Sequence, residues 1–395
     1  MKKIFRKLGY KIENYDFRLI VYVLLLSIIG VLMVHSATVN EVEEGLLDTT
    51  QKQILGVIIG LISMVVISLI DYKKILKFAA LIFILNVAVL IYVKFAGTTY
   101  LGARRWISVP GFGTIQPSEF SKIAVILVGT AFLCRFRDKI STIPILLLYL
   151  AIAAVPCLLI LVQPALSTTI VIFVTVIVML YLGGISSRWV YGVSIVVAVL
   201  AVLLLFAVYQ PDQAILNDLV EKNILRPHQL NRINAFFFPS EHRDLVYQQT
   251  NSIMAIGSGQ FFGKGLNTTT YESVKNGNFL SEEQCDFIFA VVGEELGFVG
   301  SVLIIALIGL IVYECIRISR VTNYVGGVII GCSIAALLGV QSFINIGVAT
   351  LVLPNTGVPL PFVSAGMSSL VSSFMMIGFV LNVGLQRGRL ELNRR

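Results

Sequence analysis

The amino-acid sequence predicts an all-α integral membrane protein with about ten transmembrane helices. Three observations support this prediction: the mean hydropathy of the 395-residue chain is +0.89, 57% of its residues are hydrophobic, and only 13% are charged. Water-soluble domains have about 25% charged residues, and a spanning helix needs about 20 apolar residues. A chain of this length with short connections is therefore expected to form one polytopic membrane domain over residues 1–395.

Hydropathy predicts the spans, and the distribution of charge predicts their orientation. Lysine and arginine gather at alternate ends of the spans, from Lys2 and Lys3 to Arg394 and Arg395. The positive-inside rule makes those ends and both termini cytoplasmic, and it places a large extracytoplasmic loop at 210–285. The net charge of +8 is thus a sign of topology rather than of nucleic-acid binding. The predicted spans are 17–39, 53–70, 75–96, 119–134, 142–162, 166–184, 190–209, 286–313, 322–349 and 368–386.

Ionisable residues in or beside spans mark the first candidate site. A charge at mid-membrane costs at least ~2.5–3.5 kcal/mol, so such residues are candidates for function. The outward segment 102–122 is rich in glycine and proline, and its Pro117 begins a helix that carries Glu119 and Lys122. Their spacing of three residues puts both side chains on one helix face. The pair is either part of a functional site or a structural ion pair.

Asp286 marks the second candidate site, at the start of the eighth predicted span. Three apolar residues follow it directly. Partial desolvation at the membrane boundary makes a carboxylate a better proton acceptor, so Asp286 is the candidate general base. The alternative is that Asp286 caps the helix or stabilises its N-terminal dipole. Glu294 and Glu295 would lie about 12–14 Å deeper along a continuous helix, too far to share its site.

The third candidate site is the stretch 345–370, where three prolines and several glycines interrupt an apolar sequence. Irregular backbone at membrane depth persists only where it is buried in protein or lines a polar cavity. The sequence therefore predicts a broken or re-entrant segment before the last helix. Cations on the outward segments suit an anionic, lipid-linked substrate such as a diphosphate. These cations are Arg104, Arg105, Arg232, Arg243 and Lys264.

Six motifs along nearly the whole chain resemble, in the same order, the SEDS family (shape, elongation, division and sporulation). They are GARRWI, IQPSEFSKIAVIL, LRPHQLNRINAFFFP, AIGSGQFFGKGL, DFIFAVVGEELGFVG and LPNTGVPLPFVSAGMSSL. The resemblance implies a ten-span enzyme of the bacterial cytoplasmic membrane. Such an enzyme polymerises lipid II into peptidoglycan strands on the outer face, beside a class B penicillin-binding protein that cross-links them.

The resemblance also implies residue roles. The essential carboxylate of the family falls on Asp286, as the base that takes a proton from the acceptor's 4-hydroxyl group in an inverting transfer. Arg105, Lys264 or a divalent cation (Mg²⁺ or Mn²⁺) would stabilise the departing diphosphate. The substrate-binding residues implied by the motifs are Arg105, Trp106, Gln116, Ser118, Glu119, Lys122, Arg232, Lys264 and Ser364.

The chain departs from the family pattern at three places. Ala165 stands where the family has an acid. The segment 280–286 keeps Glu282 and Asp286, but Gln284 and Cys285 differ from the family's residues. The segment 364–369 reads SAGMSS, which also departs from the family pattern. These changes leave open a divergent member with altered substrate preference, altered regulation or weak activity. A flippase or transporter of the lipid-linked precursor, another polysaccharide polymerase and a non-catalytic scaffold are the remaining alternatives.

Overall fold

The described part of the chain is almost entirely helical, which confirms the predicted class. The structure is a computed structural model, and it describes residues 12–39, 47–100, 103–109, 113–163, 165–189, 214–222, 227–268 and 283–386, together with Ser273 and single positions between 191 and 208. A 3₁₀ turn at Ile12–Asn14 precedes the first helix. The helices of the first half are α1 (Phe17–Val39), α2 (Leu47–Leu69), α3 (Tyr72–Lys77), α4 (Ala79–Ala96), α5 (Pro117–Phe136), α6 (Ile143–Val162) and α7 (Leu166–Leu182).

The second half begins with three shorter helices and ends with three long ones. The short helices α8 (Ala214–Glu221), α9 (Pro227–Phe237) and α10 (Arg243–Ser258) lie within the predicted large loop, whose extracytoplasmic location stays a prediction. The long helices are α11 (Ile288–Arg320), α12 (Val325–Ala349) and α13 (Met367–Leu385).

A small antiparallel sheet is the one addition to the predicted all-α class within the described residues. Its strands β1 (Thr98–Tyr100), β2 (Ala103–Val109) and β3 (Gly113–Ile115) are arranged in chain order between α4 and α5. The registers pair Thr98 with Trp106 and Ile107 with Ile115. Strands this short give a weak sequence signal, so the sequence does not predict this sheet.

Seven of the described helices are long and apolar enough to span a membrane: α1, α2, α4, α6, α11, α12 and α13. Helix α7 is apolar but shorter, and α5, which carries Glu119 and Lys122, corresponds to the predicted span 119–134. The predicted span 190–209 falls mostly outside the described residues. The chain is a multi-pass membrane protein, and the total of ten spans stays a prediction.

Helix α13 forms the centre of the helix bundle and is buried along nearly its whole length. It packs against α2, α5, α11 and α12. Small residues permit the closest of these approaches: a Cβ atom on Gly60 would lie 2.2 Å from the Phe374 ring, and one on Gly378 would lie 2.7 Å from the backbone oxygen of Met64. Close backbone approach of this kind is a common basis for helix association in membranes.

Polar side chains join several helices at the end that the charge pattern assigns to the cytoplasm. Arg317 on α11 forms ion pairs with Asp16, just before α1, and with Glu314 at 2.5 Å. On α13, the Asn382 amide donates to the backbone oxygen of Ser68 at 2.6 Å. These contacts connect the chain before α1 to α11, and α2 to α13, at the end opposite the candidate site.

Candidate active site

Residues 350–366 connect α12 to α13 without regular structure, and we call them the broken segment. Val358 and residues 360–365 are buried, whereas Gly357 is exposed. Side chains from several helices satisfy its backbone oxygens, as buried irregular backbone requires. The prediction of an irregular segment buried in protein is confirmed. The donors are Gln249 to Leu353 (2.9 Å), Ser167 to Thr356 (2.5 Å), Asn345 to Val358 (2.7 Å), Gln341 to Pro359 (2.9 Å) and Gln53 to Ser364 (3.2 Å).

Asp286 lies directly against the exposed part of the broken segment. A Cβ atom on Gly357 would be 3.1 Å from Oδ2 of Asp286, so the carboxylate lies over a position that has no side chain. Gly357 has φ +69, a left-handed conformation that favours glycine. Asp286 is half-buried, and the three apolar residues after it are buried. The N-cap of α11 is Phe287, one residue after Asp286, and Phe287 makes no side-chain capping bond.

Glu119 and Lys122 form a buried ion pair on α5, as their spacing predicts. The exposed fractions of the two side chains are 2% and 3%, and Nζ of Lys122 lies 2.8 Å from Oε2 of Glu119. Nζ also donates to Oε1 of Gln341 at 2.9 Å, and Ser372 donates to Glu119 at 3.4 Å. Because each charge is compensated within the protein, removal of either one would leave the other buried and unpaired.

Two polar residues on one face of α12 connect this ion pair to Asp286. Gln341 accepts a hydrogen bond from Lys122 and donates to the broken segment, and Asn345 lies one helical turn further on. The side-chain nitrogen of Asn345 donates to the backbone oxygens of Asp286 and Val358. The structure thus brings the first, second and third candidate sites together, and the sequence assigns no role to these two amides.

Arg105, Trp106, Gln116 and Ser118 occupy the sheet and the start of α5. Arg105 and Trp106 are half-buried on β2, and Arg104 is exposed. The backbone nitrogen of Gln116 donates to Oγ of Ser368 on α13 at 2.9 Å. Ser118 is buried one residue after Pro117. Gln116 therefore adjoins the end of α13 that follows the broken segment.

Lys264 pairs with Glu294 on α11, a contact that the sequence does not predict. The distance from Nζ of Lys264 to Oε1 of Glu294 is 2.7 Å. The backbone at 260–265 also bonds to α11, because Gly297 has φ +64 and ψ −159 and interrupts the helix. Lys264 and residue 265 donate to the backbone oxygens of residues 294 and 295, while residues 298 and 299 donate back to residues 260 and 261.

Glu294 and Glu295 lie on the helical part of α11 between Asp286 and the break at Gly297. Oε1 of Glu295 accepts a hydrogen bond of 2.6 Å from Ser36, three residues before the last residue of α1. That end of α1 is the one predicted to face outward. The expectation that the two glutamates have partners other than Asp286 agrees with these contacts.

The remaining predicted site residues are placed as follows. Ser364 is buried, and its Oγ accepts a hydrogen bond of 2.7 Å from the backbone nitrogen of Leu360. Arg232 belongs to α9 and Arg243 begins α10, but their side chains fall outside the described set. Among the described residues, no group of three or more His, Cys, Asp or Glu side chains could hold a metal ion.

The fold and the site define a class of protein: a polytopic membrane protein with an acid at an irregular, buried segment between two long helices. A family model described as "Cell cycle protein" (FtsW, RodA and SpoVE) matches residues 17–388. The chain belongs to this family, the SEDS family that its motifs resemble.

Curated relatives match along nearly their full length. The probable peptidoglycan glycosyltransferase FtsW of Geobacter sp. (strain M18) is 32% identical over 381 residues, which cover 94% of this chain and 97% of that protein. The stage V sporulation protein E of Bacillus subtilis (strain 168) is 32% identical over 380 residues, which cover 93% of this chain and 96% of that protein.

Solved structures share the fold. A chain from a peptidoglycan synthase complex, in work on the structural coordination of polymerization and crosslinking, matches with a TM-score of 0.73 at 24% identity, covering 94% of this chain and 98% of that one. The rod shape determining protein RodA of Thermus thermophilus matches with a TM-score of 0.66 at 23% identity. The match covers 94% of this chain and 97% of that one. At these identities the likeness supports the fold alone.

Proposed function

We propose that this chain is a peptidoglycan glycosyltransferase that polymerises lipid II on the outer face of the cytoplasmic membrane. The observation that supports this proposal best is the position of Asp286. Its carboxylate is half-buried over the exposed Gly357, where a substrate can reach it and where partial desolvation favours proton acceptance. The relatives named as peptidoglycan glycosyltransferases give the substrate class.

In the proposed reaction, the 4-hydroxyl group of one lipid-linked sugar attacks the anomeric carbon of another. Asp286 takes the hydroxyl proton, the new glycosidic bond forms, and the bond to the lipid diphosphate breaks with inversion at that carbon. General-base help of this kind contributes roughly 10²–10⁴ in rate. Because the diphosphate leaves as an anion, cations near the site lower the barrier further.

We assign the cation and binding roles as the motifs imply. Arg105 and Lys264 are proposed to contact the diphosphate, with Arg232 on the loop helix α9. The ammonium group of Lys264 has three donors, so it can contact the diphosphate beside its ion pair with Glu294. The other proposed binding residues are Trp106, Gln116, Ser118, Glu119, Lys122 and Ser364. A divalent cation, Mg²⁺ or Mn²⁺, stays a prediction of the sequence.

We also propose a class B penicillin-binding protein as the partner. The support is the fold that this chain shares with a chain of a peptidoglycan synthase complex, in which polymerization and crosslinking are coordinated. A transpeptidase beside the site would receive each new glycan strand as it forms.

The test is polymerisation of labelled lipid II by the purified protein, with and without a penicillin-binding partner. Wild-type protein should form glycan chains, and Asp286→Asn, which keeps the size of the side chain but removes the base, should reduce the rate by roughly 10²–10⁴. Polymer from Asp286→Asn at the wild-type rate would refute the assignment of the base. Transfer of lipid II across vesicles without polymer would instead identify a flippase, and neither activity would favour a scaffold.

A further inference from the structure

Asn345 lies where α12 meets both Asp286 and the broken segment. Its side-chain nitrogen donates to the backbone oxygen of Asp286 at 2.9 Å and to that of Val358 at 2.7 Å. Carbonyl oxygens only accept hydrogen bonds, so the NH₂ group must face both and the orientation of the amide is determined. We propose that Asn345 is a positioning residue that holds Asp286 in the orientation for proton transfer. This inference rests on the proposed function.

The two bonds of Asn345 set the gap between the base and the broken segment. One bond fixes the backbone of Asp286, and the other fixes the residue after Gly357, over which the carboxylate lies. The side chain of Asn345 therefore holds the backbone on both sides of the contact between Asp286 and Gly357. Asn345 is itself buried in α12, a helix packed against α5, α7, α11 and α13, so its position is rigid.

Gln341, one turn earlier on α12, holds the next residue of the broken segment in the same way. Its Nε2 donates to the backbone oxygen of Pro359 at 2.9 Å, while its Oε1 accepts from Lys122. Two successive carbonyl groups are thus bound to one helix face. Loss of the Asn345 bonds would free the residue next to Gly357 while the rest of the segment stays anchored, so the expected damage is local to Asp286.

A positioning role predicts a change in rate rather than in substrate affinity. Displacement of a reacting group by about 1 Å costs on the order of 10²-fold in rate. Asn345→Asp preserves shape but turns an oxygen toward two carbonyl oxygens, so both hydrogen bonds are lost. We expect kcat for lipid II polymerisation to fall by ~10–100-fold with KM unchanged. The acidic limb of the kcat–pH profile reports the ionisation of Asp286. It should also shift, because displacement changes the surroundings in which the carboxylate ionises.

Ser342→Ala is the matched control. Ser342 is buried on the same helix, but its hydroxyl donates to Leu338 within α12 and not to the broken segment. This variant should retain the wild-type kcat and pH profile. Asn345→Ser is a second test variant that introduces no buried charge, so it addresses the case in which Asn345→Asp does not fold. Its shorter side chain should also reduce kcat with KM unchanged.

The outcomes separate this inference from the proposed function. Polymer from wild-type protein and none from Asp286→Asn supports the function. Suppose that result is obtained, and that folded Asn345 variants keep the wild-type kcat and the wild-type acidic limb of the kcat–pH profile. The positioning role is then overturned, and the proposed function stands. A rise in KM with an unchanged pH profile would also overturn it, because that result describes a structural residue. Absence of polymer from wild-type protein would overturn both.

Discussion

Replacement of Gly357 by alanine tests whether the approach of Asp286 to the broken segment is needed for activity. The added Cβ atom would lie 3.1 Å from Oδ2 of Asp286, closer than ordinary van der Waals contact, so the carboxylate or the segment must move. The segment is anchored at Val358 by Asn345, whereas the half-buried side chain of Asp286 lies beside the exposed Gly357. We therefore expect the side chain of Asp286 to take most of the displacement.

Two effects of Gly357→Ala can be estimated separately. The left-handed backbone conformation at φ +69 costs a residue with a Cβ atom roughly 1–2 kcal/mol, which lowers the stability of the protein. Displacement of the base lowers kcat, and a shift of up to about 1 Å corresponds to a loss of up to roughly 10²-fold. KM for lipid II should change little, because the carboxylate acts on the transferred proton and not on the bulk of the substrate.

Gly184→Ala is the control that separates these effects. It introduces the same left-handed backbone strain but displaces no catalytic group. Gly184 has φ +90, and the nearest atom to an added Cβ is Nε of Arg137 at 4.0 Å. Thermal unfolding in detergent should show similar losses of stability for both variants, and the lipid II assay should show a loss of kcat only for Gly357→Ala. Equal kcat values for the two variants would refute the importance of the contact between Asp286 and Gly357.

The buried ion pairs give two further predictions. Lys122→Ala leaves Glu119 buried and unpaired, so it should lower the free energy of unfolding by about 3–5 kcal/mol, measured by thermal or denaturant unfolding. If Lys122→Ala also leaves KM for lipid II unchanged, its role is structural. Lys264→Ala should also destabilise the protein, because it removes the 2.7 Å ion pair of Glu294, which is 1% exposed. The double variant Lys264→Ala with Glu294→Gln should be more stable than Lys264→Ala alone. If it is not, the ion pair between Lys264 and Glu294 does not contribute to stability.

Features determined by neighbouring residues could be predicted from the sequence. Pro117 at the start of α5 and the pairing of Glu119 with Lys122 follow from helix geometry within a single turn. The irregular path of the broken segment follows from its three prolines, which cannot continue a helix. The three apolar residues after Asp286 indicate its place at a membrane boundary. Each of these signals lies within a few residues of the feature that it predicts.

Features determined by distant contacts could not be predicted in this way. The break at Gly297 depends on backbone groups of residues 260–265, which replace the interrupted helical hydrogen bonds. Gln341 and Asn345 stand out only as two amides four residues apart in an apolar helix, a signal that indicates one polar face but not its partners. The contact of Lys264 with Glu294 likewise joins residues thirty positions apart.

Two of the departures from the family pattern lie at residues whose backbone oxygens accept described hydrogen bonds. Gln284 is tied to the broken segment by its carbonyl oxygen, which accepts a 2.8 Å hydrogen bond from the backbone nitrogen of Ala365. Ala165, at the start of α7, likewise contributes its carbonyl oxygen to Thr169, and the side chain of Ser167 still reaches Thr356. Any residue type supplies a backbone oxygen, so these two contacts do not depend on the side chains at 165 and 284. An effect of the substitutions on activity should therefore arise from those side chains themselves and not from loss of these two backbone contacts.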